Sequence, residues 1–544
     1  MSTLHKDIFK SILKQIHEKY PEDSMHRDLI QDTFYWEQQR LNNAKKSDAQ
    51  KKEKQFYQDL QKQYLNGKGK TTPVFRALLK RHLSEIQGDF SEAVFKFSNS
   101  ILTLGIDFLM REFKFTTLFK SKSKHRPPID SIKIRGEIDI VRKLSKTGTL
   151  ICTPNHVSNL DSIILGFGLH ISGLPPFTYG AGLNLFGNPI LAFFMNNLGA
   201  YKVDRLKRHK LYKEILKMYS ISILQNGQNS LFYPGGTRLR SGGLESELKL
   251  GLMGTGITAY FRNIQEGHPE RKIYYIPAVL SYHIVLEAGS LIRDHLHSEG
   301  KQRFVLAGDA FHKKAKIRHF FQNLFRLDSS VYLHIGHPLD PFGNRVNELG
   351  ESIDNQGRVI DTRRYFLSDD KIVADDNRDR VYTSMLGEKI LREIYRCNTI
   401  LVTHLVAFAL HAMIRAANPG LSVYRLLGLP RANRQVARSD LLRYIDILAA
   451  DLREKYRAGI LQVEDEILNA PADIILNKAL KILTRYHTIL PLKVVDQSIQ
   501  AKNMSVVIYY GNRLDQVPGL TMPAPPAALL SSIKPTYENP EVLN

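Results

Sequence analysis

The sequence predicts an α/β protein: a mostly parallel sheet with flanking helices, framed by helical regions at the N-terminal and C-terminal sides. Three observations predict it. From about residue 130 to 336, short β-branched and aromatic runs alternate with stretches of helix length, the pattern of strands joined by helical crossovers. Residues 1–125 and 375–500 instead read as helical, with apolar residues at helical spacing. The chain has 544 residues, more than one ordinary core accommodates, so roughly two or three structural units are expected.

Taken in order, Leu4, Ile8, Phe9, Ile12, Leu13 and Ile16 recur at helical spacing, and residues 36–70 are rich in Gln, Lys, Asn and Asp. This reads as a solvated helical appendage. A second helical block spans 72–125. Its segment 95–115, FKFSNSILTLGIDFLMREFKF, mixes large apolar residues with Lys96, Arg111 and Lys114, which fits either a membrane interface or a helix packed on the next unit. The units assigned are 1–125, an α/β domain at 126–345, a helical region at 346–516 and a Pro-rich tail at 517–544.

Within the α/β domain the strand-like runs are SIKIRG (131–136), TLICTP (149–154), FTYGAG (177–182), SLFYPG (230–235), IYYIPAVLSY (273–282) and VYLHIG (331–336). Chemistry in such sheets sits beyond the strand ends. An insertion at about 284–328 holds FHKKAKIRHFFQNLFR (311–326), an apolar stripe beside a cationic face. It suits either an anionic lipid surface or a partly buried surface helix.

The net charge of +22 favours acidic partners without choosing among nucleic acid, anionic lipid and phosphorylated substrates. No zinc-finger spacing, ribonucleoprotein aromatic signature or basic-zipper pattern is present, so no nucleic-acid partner is expected. Two cysteines, Cys152 and Cys397, make no disulfide framework and point to a reducing compartment. Neither a signal-peptide core nor an uncharged apolar stretch of about 20 residues is seen. The nearest approach, 398–414, holds two histidines and runs into Arg415, and is read as a buried helix. With the cationic surface, this is compatible with peripheral attachment at the cytoplasmic face of a membrane.

The most informative segment is TLICTPNHVSNLDSI (149–163), in which a strand runs into Asn155 and His156, and Asp161 follows. A hydroxyl is a poor nucleophile at neutral pH, and a neutral imidazole can remove its proton as it attacks. A carboxylate on the other ring nitrogen fixes the tautomer and stabilises the imidazolium. Downstream lie GAYKVDR (199–205), FYPGGTRLRSG (232–242) and IPAVLSY (276–282). Guanidinium groups in a Gly-containing turn after a strand can grip a phosphate, and glycines let the backbone approach.

These four blocks, in this order, resemble the glycerophospholipid acyltransferase superfamily, whose motifs are similar to Asn-His-x-x-x-x-Asp, Gly-Ala-Phe-Phe-Ile-x-Arg, Phe-Pro-Glu-Gly-Thr-Arg-Ser-Arg and a strand ending in Ile/Val-Pro. The resemblance covers about residues 130–340. It implies an acyltransferase-type sheet, His156 and Asp161 as the catalytic pair, and Arg205, Gly236, Thr237, Arg238 and Arg240 as the acceptor site. Lys249 is read as a surface residue. Gly235 stands where the family has Glu, and Leu239 where it has Ser.

The resemblance further implies transfer of a fatty acyl group from a thioester, acyl-CoA or acyl carrier protein, to the sn-1 hydroxyl of glycerol-3-phosphate. No cofactor or metal is expected. Lysophosphatidate or dihydroxyacetone phosphate as acceptor stays open, and so does a non-catalytic membrane scaffold on the same fold.

Overall fold

The computed structural model describes residues 3–43, 48–67, 71–87, 132–182, 200–204, 206–299, 330–484, 487 and 490–535. At its centre lies a seven-stranded sheet of β1 (Ile132–Gly136), β2 (Gly148–Pro154), β3 (Thr178–Gly182), β4 (Ala200–Val203), β5 (Ser230–Leu231), β6 (Lys272–Tyr282) and β7 (Val331–Ile335). The strand order is β1-β7-β6-β2-β5-β3-β4. All neighbouring pairs are parallel except β6 with β7. The expected fold class is therefore the observed one.

β6 shows why the sheet forms. Its apolar run alternates between two cores, as the two-residue repeat of a strand requires. Tyr274, Ile276, Ala278, Leu280 and Tyr282 join the larger core, whereas Ile273, Tyr275 and Val279 join a second core on the opposite face. The first face is covered by α6 (Asp161–Ile171), α9 (Ala288–Glu299) and the C-terminal helices α11 (Val402–Ala416), α12 (Arg438–Arg457), α13 (Ala472–Leu483) and α14 (Met504–Asp515). The second is covered by α7 (Lys210–Gln225), α8 (Thr255–Gln265) and α10 (Asp376–Arg396). A short helix α5 (Ile138–Leu144) links β1 to β2.

Two strand expectations change. SLFYPG pairs only at Ser230 and Leu231, because the chain then turns through Pro234 and two glycines. β4 falls in the GAYKVDR block, which the sequence did not identify as a strand.

The N-terminal helices are α1 (Thr3–Lys19), α2 (Asp23–Asn42), α3 (Asp48–Asn66) and α4 (Thr71–Gln87). They are not the solvated appendage their composition implies. Ile8, Ile12 and Ile16 are buried with Leu29, Ile30, Val74 and Leu78 against Tyr201 of β4 and Leu211, Ile215 and Ile223 of α7. Beside this core the loop between β4 and α7 is held by a buried ionic cluster. Lys207 Nζ donates to Glu85 at 2.6 Å and to Tyr57 Oη at 3.3 Å, and Arg40 bonds both Glu37 and Glu53. Burial alone would raise Glu37, but His209, Lys207 and Arg40 together lower it to about 2.

The stretch 398–414 forms most of α11, whose residues Val402–Ile414 are all buried, as a core helix should be. Among the described residues no helix is long and apolar enough to cross a membrane. The C-terminal region is not wholly helical: short strands at 399–400 and 462–463 pair in parallel, and 435–437, 492–495 and 498–501 form a small antiparallel sheet. Segments 95–115 and 311–326 lie outside the described residues.

Lys207 is 3% exposed and faces three glutamates. Lys207→Ala should strip a buried cluster of its cation and lower the unfolding free energy by about 3–5 kcal/mol in denaturant titration. A change under about 1 kcal/mol would show the cluster to be solvated and marginal.

Candidate active site

The site is built where β2 leaves the sheet. Asn155 N–H still bonds the Ala278 carbonyl at 3.2 Å, continuing the ladder to β6. Its side chain then imitates backbone: Nδ2 donates to the Leu280 carbonyl at 3.1 Å and Oδ1 accepts from Leu280 N–H at 2.8 Å. The buried amide satisfies β6 while freeing the main chain to turn, and His156 emerges at the surface of the turn with a side chain 14% exposed.

Asp161, the first residue of α6, is fully buried. Its Oδ2 accepts from His156 Nδ1 at 2.8 Å, Val157 N–H at 2.6 Å and Ser158 N–H at 3.0 Å. Its Oδ1 accepts from Tyr282 Oη at 2.6 Å. The start of a helix favours a carboxylate electrostatically. Burial first, and then the Asp161 charge, push the Tyr282 hydroxyl well above its ordinary range, so it stays a donor. With Nδ1–H given to Asp161, Nε2 carries the lone pair of the neutral ring. Tyr233 stacks on the imidazole, with ring centroids 4.1 Å apart and planes 23° apart, and shares a hydrogen bond of 3.1 Å with Ser162. The ring is thus fixed at one nitrogen and across one face.

The arginine loop is tied to the histidine turn. Leu239 N–H donates to the His156 carbonyl at 2.7 Å. Gly236 turns the loop with φ +75°, a conformation that suits glycine. Arg238 Nη1 lies 3.3 Å from Glu287 Oε1, and the same carboxylate accepts from Ser158 Oγ at 2.8 Å and Asn159 N–H at 3.0 Å. Glu287 is buried. Burial raises its pKa, opposed by Arg238 and the two loop donors. One carboxylate therefore joins Arg238 to the loop between His156 and Asp161.

Helix α14 backs the arginine loop. Asn512 Nδ2 donates to the Ser241 carbonyl at 2.9 Å, and the buried Arg513 bonds the Gly243 and Leu280 carbonyls at 3.3 and 3.1 Å. Thr237 and Arg240 are exposed at the outer edge of the loop. The Lys249 side chain, 71% exposed, lies 3.7 Å from Glu247, as a surface residue does. Arg205 lies outside the described residues. Among the described residues no group of three or more His, Cys, Asp or Glu is placed to hold a metal ion.

The structure thus brings His156, Asp161 and Arg238 together, with Gly236 turning the same loop and Thr237 and Arg240 exposed on it. Sequence reasoning missed the supporting residues. Tyr282 and Tyr233 lay inside quoted blocks, and Asn155 inside the first, but Glu287 and Glu245 carried no local signal because their partners are distant in the chain.

Glu245 is 5% exposed, and burial raises its pKa from 4.5 to about 7. The folded state therefore holds this proton more tightly than the unfolded chain does. That contribution is fully present below about pH 4.5 and lost as pH rises through about 7. Glu245→Gln does not titrate, so its stability relative to wild type should rise by up to about 3 kcal/mol between those limits. Urea titrations at several pH values measure this, and a pH-independent difference would contradict it.

A family model described as Acyltransferase matches residues 133–281. A glycerol-3-phosphate acyltransferase of Hamiltonella defensa subsp. Acyrthosiphon pisum (strain 5AT) is 28% identical over 275 residues, covering 48% of this chain and 30% of that protein. Those of Shewanella woodyi (strain ATCC 51908 / MS32) and Pseudomonas fluorescens (strain Pf0-1) are each 24% identical, covering 48% and 55% of this chain and 28% and 32% of their own. The chain spans under a third of the length of these curated relatives. The 1-acyl-sn-glycerophosphate (LPA) acyltransferase PlsC from Thermotoga maritima, known from a crystal structure, is 16% identical, with 45% of this chain and 72% of that chain covered at a TM-score of 0.22. Residues 133–281 are therefore an acyltransferase domain, and over it the chain is similar to glycerol-3-phosphate acyltransferases.

Proposed function

We propose that the protein transfers a fatty acyl group from acyl-CoA or acyl carrier protein to the sn-1 hydroxyl of glycerol-3-phosphate, giving lysophosphatidate for phospholipid synthesis. The observation that carries this reading is the His156–Asp161 pair, 2.8 Å apart, with Arg238 tied to the same loop through Glu287. The relatives named glycerol-3-phosphate acyltransferase support the choice of acceptor.

The acceptor phosphate binds Arg238 and Arg240, with the Gly236 backbone and the Thr237 hydroxyl of the same loop assisting, and the resemblance adds Arg205 to the same anion. His156 Nε2 takes the proton of the acceptor hydroxyl as its oxygen attacks the thioester carbonyl carbon. Asp161 stabilises the imidazolium that forms, and backbone N–H groups stabilise the oxyanion. The tetrahedral intermediate expels the thiolate, which receives the proton from His156, so that ester and thiol are released. The residues described supply every proton movement. Phosphate binding holds the hydroxyl near the base, which supplies much of the rate.

The lipid product, the net charge of +22 and the absence of a spanning helix among the described residues support peripheral action at an anionic membrane surface on the cytoplasmic side. Nothing in this reading requires nucleic acid.

The test is acyl transfer by purified protein, with both donors and with glycerol-3-phosphate and lysophosphatidate competing. His156→Ala should lose activity by at least about 10³-fold with its fold intact. Arg238→Ala should raise KM for the phosphorylated acceptor more than for the thioester. Wild-type protein inactive toward both acceptors, or an active His156→Ala, would overturn the reading in favour of a scaffold.

A further inference from the structure

A buried carboxylate that disfavours its own charge is a poor structural element, so the place of Glu245 calls for a physical reason. Glu245 follows the arginine loop in the chain and is 5% exposed. Its Oε1 accepts from the His156 main-chain N–H at 3.0 Å. Among the described residues its Oε2 has no hydrogen-bond partner. Its own carbonyl accepts from Tyr395 Oη of α10 at 2.8 Å, which anchors this end of the loop against the opposite face of the sheet.

Gly235 explains how the carboxylate fits. Its φ is not positive, so its backbone does not need glycine. The need is for room: a Cβ there would lie 2.8 Å from Glu245 Cγ and 3.2 Å from Oε1. Glu245 thus fills the space that any side chain at 235 would occupy, and these two positions form a matched pair.

We propose that Glu245 is a positioning residue for His156. Its Oε1 pins the main chain from which the imidazole projects, and Gly235 is small so that this carboxylate can reach it. Asp161 fixes the ring from the side chain, and Glu245 fixes the turn from the backbone. This rests on the acyl-transfer reading above.

The experiment compares Glu245→Gln with Glu245→Met in steady-state acyl transfer, with thermal unfolding as the control for folding. Gln keeps an acceptor for the His156 N–H; Met keeps the volume and cannot accept. The expected result is kcat within about threefold of wild type for Gln and a fall of about tenfold to a hundredfold for Met, with both KM values nearly unchanged. A residue that merely fills space would leave kcat near wild type in both variants, with Met the more thermally stable because it removes a buried polar group, and equal kcat for the two would overturn the proposal.

The matched pair supplies a second test that does not depend on Met folding. Gly235→Glu alone should lose activity through collision, and Gly235→Glu with Glu245→Ala should recover at least about tenfold over either single change. A double variant no better than the worse single would overturn the proposal. A wild type without acyl transfer would instead defeat the reading of function, so the two failures are distinguishable.

Discussion

The Asp161 carboxylate is wholly buried, and a buried charge persists only when its oxygens are occupied by donors. Four donors meet it: the His156 imidazole, two main-chain N–H groups of the following turn, and the Tyr282 hydroxyl at the end of β6. Each imposes a constraint. The turn must close tightly after β2, α6 must begin at residue 161, and β6 must run in parallel register beside β2 so that Tyr282 arrives at the same point. The sheet order and the long buried β6 follow from keeping those parts together. The result is an imidazole with one nitrogen committed and the other left for chemistry.

The flanking regions hold this arrangement in place. After β6 the chain passes through His283, whose Nε2 lies 3.0 Å from the buried Glu464, and Glu464 also accepts from Val402 N–H and bonds Lys478. Burial would raise Glu464, but His283 and Lys478 hold it well below the usual carboxylate range. The C-terminal helices are therefore joined to the strand that carries Tyr282. Arg513 bridges Asn398, Ser281 and the arginine loop from the same side. On the opposite edge, the N-terminal helices secure β4 and the Lys207 loop. Removal of either flank would expose apolar surface and paired charges together, so the α/β domain is not an independent body in this chain.

Much of this was legible in the sequence because the relevant signals are local. Strands buried on both faces read as unbroken apolar runs, and β2, β6 and β7 were found for that reason. His156, Asp161 and Arg238 lie in short motifs at fixed spacing, and the structure places them together. What was missed depends on pairing across distance. Glu37, Arg40, Glu53, Glu85 and Lys207 count as surface in any composition, yet they are buried or half-buried in one cluster, and this turned a packed helical region into an expected appendage. Strands of two to four residues in the C-terminal region are too short for a periodic signal. Glu245 and Glu287 show their use only once the chain has folded.

In the proposed function the Asp161 carboxylate sets the imidazole's tautomer and charge rather than only its location. Asp161→Asn preserves shape and tests it most directly when kcat and KM for acyl transfer are measured separately, with circular dichroism to check the fold. The expected kcat is lower by about 10³–10⁴-fold with KM for the acceptor changed little, because an amide stabilises neither the Nδ1–H tautomer nor the imidazolium. A folded variant that retains kcat within about tenfold would contradict it.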